Sequence, residues 1–368
     1  MASKKSSLPT DLRSLRSRVK KLDAELVSLL RKRREIAHAL AEREGASELL
    51  PRLERDAARL GALAKGLDPG VVAVLREAIA AERNAVEPVR VAYLGPANTF
   101  SHQAAEHRFG ATAELAPVGT IAAVFEAVDR GDCQFGVVPL ENSTDGRVTD
   151  TLDCFSRTEA RICGELPLRI HHCLLGAGER ASVRHVLSKP QALSQCRNWL
   201  AQHLPGAEAR PVASTADAAR QALADPSIAA IASERAAVQL GLAVLARNIE
   251  DQKDNITRFA VIGREPAAKS KGENDLDKSA LMFEMPHEPG ALADAMAIFK
   301  RHKLNLTWIE SFPQRCEEGA GSRGRYLFFV ELEGHQTELM PRRAIAALGK
   351  KATQLAVLGS YPTVSPIG

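Results

Sequence analysis

The chain has 368 residues, of which 45% are apolar and 26% charged, and its net charge is +4. That length exceeds one core and points to about two or three domains. Balanced charge argues against a nucleic-acid surface, and an aromatic content of 4% removes the usual base-stacking platforms. No apolar run approaches ~20 residues, so neither a signal peptide nor a membrane span is expected. The cysteines at 133, 154, 163, 173, 196 and 316 show no CxxC spacing. They read as reduced thiols of a cytoplasmic protein, with no disulfide framework or zinc site.

Residues 1–10 are polar. From Asp11 onward, Leu12, Leu15, Val19, Leu22, Leu26, Leu29, Leu30, Ile36 and Leu40 recur at three- and four-residue steps, the period of one helix face, and Gly45 supplies a stop. A second helical stretch spans 49–65. Gly66, Asp68, Pro69 and Gly70 interrupt it, and a third helix is expected over 71–86, before Pro88. So small a helical unit cannot bury so long a stripe alone, which calls for a partner chain.

Residues 1–87 resemble the all-helical type of chorismate mutase in Leu15-Arg16, Leu22-Asp23, Leu29-Leu30 and Arg33-Arg34-Glu35-Ile36-Ala37. The resemblance implies an intertwined dimer in which Arg16 and Arg33, one from each chain, hold the two carboxylates of chorismate, with Glu54 a further site residue. The same arginines equally fit a solvated basic face. The reaction is a pericyclic rearrangement, so the site has only to fix one conformer and stabilise charge on the ether oxygen. Two positions depart from the family. Glu44 stands where a lysine reaches that oxygen, with Arg43 one residue away. In Leu50-Pro51-Arg52-Leu53-Glu54, Leu53 takes an arginine's place. The expectation is a helical dimer whose mutase turnover is weak or absent.

After Pro88 the pattern changes. Residues 89–95 read as a buried strand. Pro96-Ala97-Asn98-Thr99-Phe100-Ser101 then opens a helix over 102–107. That turn offers backbone N–H groups and hydroxyls to an anion, and it equally fits a capped strand-to-helix crossover. A helix over 121–130 leads to a strand over 135–140 and to the polar run Glu141-Asn142-Ser143-Thr144-Asp145-Gly146. An extended stretch over 161–175, a strand end at 185–190, a helix over 191–203, a strand over 228–232 and a short helix over 234–241 continue the alternation. Such alternation argues for α/β architecture with ligand at the strand ends. His171-His172-Cys173 lies in the extended stretch, where neighbours point to opposite faces, so no metal is expected there. Asp254-Asn255-Ile256-Thr257-Arg258-Phe259 gathers an amide, a hydroxyl and a cation, a set suited to a small anionic substrate. As a turn into a strand, the same residues need no further role.

Four ordered segments resemble the motifs of prephenate dehydratases. They are Tyr93-Leu94-Gly95-Pro96-Ala97-Asn98-Thr99-Phe100-Ser101, Gly136-Val137-Val138-Pro139-Leu140-Glu141-Asn142-Ser143-Thr144-Asp145-Gly146, Ser188-Lys189-Pro190-Gln191-Ala192-Leu193-Ser194-Gln195-Cys196 and Thr257-Arg258-Phe259. The resemblance implies a dehydratase domain over 88–265, made of two α/β lobes like a periplasmic binding protein. It also implies Thr257, Asn142, Ser188 and Gln195 as catalytic positions, with Thr99 and Ser143 beside the substrate. Prephenate is a dicarboxylate with a ring hydroxyl. Its decarboxylation drives loss of that hydroxyl, so neither cofactor nor metal is needed. Asn98 stands where the family usually has Gly, and Lys189 replaces a common His. Arogenate dehydratase is an alternative that the motifs do not separate. A non-catalytic amino-acid sensor of the same architecture is another.

Residues 266–277 have a linker's composition. Residues 278–368 read as a β-α-β-β-α-β unit, the ferredoxin-like order. Glu288-Pro289-Gly290-Ala291-Leu292, Asn305-Leu306-Thr307 and Ile309-Glu310-Ser311-Phe312-Pro313 resemble the amino-acid-sensing ACT module of these dehydratases. That resemblance implies phenylalanine as effector, bound at a dimer interface by Gly290, Ala291, Leu292, Asn305, Leu306, Glu310 and Ser311. Phe312 stands where the family often has Arg. The module equally fits a structural dimerisation domain. A homodimer or higher homo-oligomer is expected.

Overall fold

The computed structural model describes residues 11–44, 53, 56, 59–61, 63–270, 276–313 and 326–367. Glu54, the Gly45 stop, Cys316 and residues 271–275 of the expected linker lie outside the described residues. The chain divides into two compact units. One comprises the residues up to Pro88 with Gly110–Ala113, and the other Val89–Phe109 and everything from Glu114. No described helix is long and apolar enough to cross a membrane.

The first unit is helical. Helix α1 (Leu12–Glu44) begins at Asp11, whose carboxylate accepts the Ser14 N–H at 3.0 Å. Helix α2 (Pro69–Val86) starts two residues ahead of the sequence expectation. Asp68 caps it by accepting from the Gly70 N–H at 2.8 Å, and Pro69 sits where a helix has no use for an N–H. Within the chain the leucine stripe of α1 is uncovered: Leu12, Val19, Leu22, Leu29 and Ile36 are each more than half exposed.

The second unit is built on three sheets, so the molecule is a mixed α/β protein with a helical N-terminus. The first sheet has the order β2 (Glu114–Val118), β1 (Arg90–Leu94), β3 (Phe135–Asn142), β11 (Ile256–Gly263), β5 (Arg161–Arg169), with the short β4 (Gly146–Arg147) hairpinned onto β3. Its parallel half is linked through α3 (Phe100–Phe109) and α4 (Ile121–Asp129). Strand β11 is antiparallel to both neighbours. The second sheet has the order β10 (Ala243–Ala246), β6 (Cys173–Gly176), β9 (Ile228–Ala232), β7 (His185–Ser188), β8 (Glu208–Pro211).

The extended stretch over 161–175 is thus two strands in two sheets. His171 and His172 lie in the connection, outside any strand. Their place there is fixed by buried Glu250, which accepts from the His172 N–H at 2.9 Å and pairs with His171 Nδ1 at 2.8 Å. The helix expected over 191–203 is likewise two, Pro190–Gln195 and Arg197–His203. Asp251 causes the break. Its N–H takes the Gln195 carbonyl at 2.7 Å, and its carboxylate caps the second helix at the Asn198 and Trp199 N–H groups.

The third sheet is antiparallel, in the order β13 (Leu306–Pro313), β14 (Tyr326–Glu333), β12 (Asp277–Glu284), β15 (Gln354–Pro362). Helices Ala291–Arg301 and Leu339–Gly349 give the β-α-β-β-α-β order. One apolar cluster joins it to the first sheet, combining Val138, Leu140, Ala260 and Ile262 with Met282, Phe312, Phe329 and Tyr361. Gly359 shows how close the backbones come: a Cβ there would lie 2.1 Å from the Ile162 carbonyl oxygen. Finally, Ile367 exchanges main-chain hydrogen bonds with Pro167 and Arg169, covering the open edge of β5.

Candidate active site

Asn142 ends β3 and Thr257 stands opposite it near the start of β11, so their side chains share one face of the sheet. The Asn142 amide is fixed from one side. Its Oδ1 accepts the N–H groups of Thr144 and Asp145 at 2.9 and 3.0 Å. Peptide N–H groups only donate, so the oxygen must face them and Nδ2 must face the other way. Nδ2 donates to Thr257 Oγ1 at 2.9 Å and to Asn255 Oδ1 at 2.8 Å.

The polarity then propagates. Asn255 Nδ2 donates to Gln195 Oε1 at 3.0 Å, and Gln195 Nε2 donates to an Asp145 carboxylate oxygen at 2.8 Å. His172 Nε2 is 2.9 Å from the same Gln195 Oε1. An amide oxygen cannot donate, so His172 carries its proton on Nε2. Its ring is buried, its Nδ1 has no hydrogen-bond partner among the described residues, and burial holds its pKa below the ordinary value. The imidazole is therefore neutral.

This order has one chemical consequence. Thr257 Oγ1 accepts from Asn142, and among the described residues its own hydrogen has no acceptor. A hydroxyl so held is a donor waiting for an oxygen.

Residues 91–267 match the prephenate dehydratase family. The bifunctional chorismate mutase/prephenate dehydratase of Aquifex aeolicus is 39% identical, over 96% of this chain and 98% of that protein. The chain belongs to the bifunctional chorismate mutase/prephenate dehydratase family. Among solved structures, a prephenate dehydratase from Arthrobacter aurescens in complex with L-Phe is similar at a TM-score of 0.68 and 32% identity, covering 75% of this chain and 92% of that one. A quorum-quenching acylase, GqqA, is similar at 0.66 and 29%, covering 75% and 98%.

Within this bifunctional chain the four expected catalytic positions are not equivalent. Asn142, Gln195 and Thr257 meet in the network. Ser188 is fully buried at the end of β7, and its hydroxyl donates to the Ile231 carbonyl at 2.7 Å, inside the second sheet. Ser143 is also engaged by the main chain: its Oγ donates to the Asp254 carbonyl and accepts the Ile256 N–H, which pins β11 to the end of β3. Thr99 donates to the Pro96 carbonyl at 3.0 Å and so shapes the turn into α3.

Arg258 overturns an expectation. Read as a cation for the substrate, it instead leaves the sheet on the face opposite Thr257 and is bound by Glu141, Glu165 and Glu331 at 2.7–3.0 Å. Burial opposes its charge, but the Glu331 and Glu165 carboxylates outweigh burial and raise its pKa further. Lys189 is different. It is half-buried at the strand end beside Ser188, burial lowers its pKa, and no carboxylate pairs with it among the described residues.

In the helical unit Arg16 is exposed, while Arg33 is paired with Glu82 of α2. Burial raises the Glu82 pKa against the pull of Arg33. In the third sheet Gly290 stands at φ 85° ahead of its helix, a left-handed position suited to glycine, with Ala291 and exposed Leu292 following. Asn305 donates to Glu333 at 3.0 Å, and Leu306 opens β13. Glu310 and Ser311 meet Arg147, and Phe312 is buried in the apolar cluster.

Sequence reasoning passes over His172 as a site residue, and it reads Asn255 as an amide for the substrate where the structure has it bridging Asn142 and Gln195. The signal available for Asn255 is its place two residues before Thr257, on the same side of an extended chain.

Proposed function

We propose that the α/β unit dehydrates prephenate at the Asn142–Thr257 pair, and that the domain boundaries are those read from the sequence: a two-lobed dehydratase over 88–265, a linker over 266–277 and a phenylalanine-sensing ACT module over 278–368. The observation that carries the reading is the 2.9 Å hydrogen bond that leaves the Thr257 hydroxyl free to donate. As the carboxylate bond breaks, its electron pair enters the ring and expels the hydroxyl oxygen. Thr257 donates to that oxygen as it gains charge, and solvent supplies the proton that completes water. The products are phenylpyruvate, carbon dioxide and water. Gln195 and Lys189 face the substrate carboxylates. Asn255 and neutral His172 hold the amides in register, and Ser188 and Ser143 hold the strands. No cofactor or metal takes part. The helical unit, as a dimer, works only weakly on chorismate through Arg16 and Arg33, because Glu44 stands where a donor meets the ether oxygen, and the protein is a cytoplasmic homo-oligomer. The acylase neighbour is less similar, and over less of this chain, than the bifunctional relative, so dehydration is the better-supported chemistry.

The test is to supply prephenate and arogenate side by side to the purified chain and follow phenylpyruvate and phenylalanine formation. Phenylpyruvate from prephenate, formed about 100-fold more slowly in Thr257→Ala, is the expected result. Preferred turnover of arogenate reassigns the substrate. Turnover of neither leaves the non-catalytic sensor as the correct reading.

A further inference from the structure

Two cations connect the proposed dehydration site to the third sheet. Arg258 is the residue after Thr257. On the far face of β11 its Nη2 reaches Glu331 of β14 at 2.7 Å, and its guanidinium lies 5.5 Å from the ring of Trp308 of β13. Glu331 is fully buried and also accepts the Tyr361 hydroxyl of β15 at 2.6 Å. The second cation is Arg147. It ends the hairpin whose turn supplies the Thr144 and Asp145 N–H groups that orient Asn142. Arg147 pairs with Glu310 of β13 and donates to the Ser311 carbonyl at 3.3 Å. The donor hydroxyl and the amide that directs it are thus each tethered, from behind, to the same sheet.

Buried charges are poor sources of net stability, because desolvation cancels most of the attraction. What they fix well is position, since a guanidinium with three carboxylates around it has few alternative placements. We infer that Arg258 and Arg147 are positioning residues: through Glu331 and Glu310, the third sheet sets the placement of Thr257 and Asn142 and is part of the catalytic scaffold. The inference rests on the proposed role of Thr257. A side chain displaced by about 1 Å from its reacting partner loses roughly 100-fold in rate. Loosening this anchor therefore acts on kcat, while KM, set by Lys189 and Gln195 beyond the end of β7, stays put.

The experiment is a double-mutant cycle on the full chain, with Glu331→Gln and Thr257→Ala, singly and together. Prephenate turnover is measured without effector, and thermal unfolding checks that each variant is folded. Glu331→Gln is expected to lower kcat about 10- to 100-fold at near-constant KM, consistent with a sub-ångström to 1 Å shift. In the Thr257→Ala background it is expected to have almost no further effect, because the group it positions is gone. Glu310→Gln removes a partly exposed partner, so it gives a folded variant if Glu331→Gln does not fold. It is expected to behave the same way with Asn142→Ala. Conservative rescue by Glu331→Asp is expected to recover part of kcat. An equal fractional loss in both backgrounds, or full kcat in folded Glu331→Gln and Glu310→Gln, overturns the inference. Full turnover in Thr257→Ala alone overturns the reading of the site instead.

Discussion

The two units of this chain complete their cores in opposite ways. In the α/β unit Val138, Leu140, Ala260 and Ile262 are covered by residues of the same chain, including Met282, Phe312 and Tyr361. In the helical unit Leu12, Leu22 and Leu29 of α1 stand in solvent. Each uncovered leucine forgoes roughly 1.5–3 kcal/mol that burial supplies elsewhere. The contrast separates two kinds of site. One chain contains every group of the Asn142–Thr257 network, whereas the stripe on α1 is left exposed by the described residues of its own chain.

The sharpest way to probe that contrast is at the end of α1. Glu44 places a carboxylate where the mutase family has a lysine, so Glu44→Lys in the full chain is expected to raise chorismate consumption by about 100- to 1000-fold, the size of one lost oxyanion partner regained. An unchanged rate shows that charge at this position is not what limits the helical unit. On the other side of the contrast, Thr257→Ala is expected to lower prephenate kcat by about 100-fold, a typical size for a positioned proton donor, with chorismate consumption untouched. Wild-type dehydration in that variant removes Thr257 from the chemistry. Leu22→Asp with Leu29→Asp then separates the units directly. Sedimentation is expected to show weaker association and chorismate consumption to fall, while prephenate kcat stays within about twofold, as for independent sites. A parallel fall in both activities breaks the comparison.

The smallest expected effect concerns His172. Folding keeps its imidazole neutral, with a pKa below the ordinary value because of burial. The unfolded ring takes up a proton below about pH 6.5, so acidification favours unfolding, by up to about 1.4 kcal/mol per pH unit for one such histidine. His102, also lowered by burial, adds a slope of its own. His172→Gln is expected to flatten the fall in stability from neutral to acid pH by one proton's share, measured by denaturant titration. An identical slope in both proteins shows that His172 titrates normally.

Much of the site is legible in the sequence because Asn142 and Thr257 lie in short motifs at strand ends, and strand ends are where such sheets present ligand groups. Arg258 shows where motif reading loses to geometry. Adjacent strand residues point apart, so a residue next to Thr257 faces away from what Thr257 faces. Gln195 shows a different limit. Periodicity gives one helix over 191–203, but Asp251, distant in the chain, takes the Gln195 carbonyl and splits it. Only that break turns the end of a helix into a place for an amide to reach Asn255. Ser188 belongs to its motif, yet its hydroxyl serves the strand beside it, and no local pattern reveals that the Ile231 carbonyl is waiting there. For α2 the error is one of two residues, and Asp68 with Pro69 accounts for it.

The two peptide N–H groups that hold Asn142 Oδ1 amount to a one-way valve for protons. Because they can only give, every group beyond them has its direction of donation decided: Asn142 to Thr257, Asn255 to Gln195, and His172 to Gln195. Asn142→Asp changes one heavy atom and almost no volume, yet it runs the valve backwards. The oxygen that replaces Nδ2 would draw the Thr257 hydrogen inward and leave nothing to offer a departing hydroxyl. The shape of the site would survive intact while its sense was inverted.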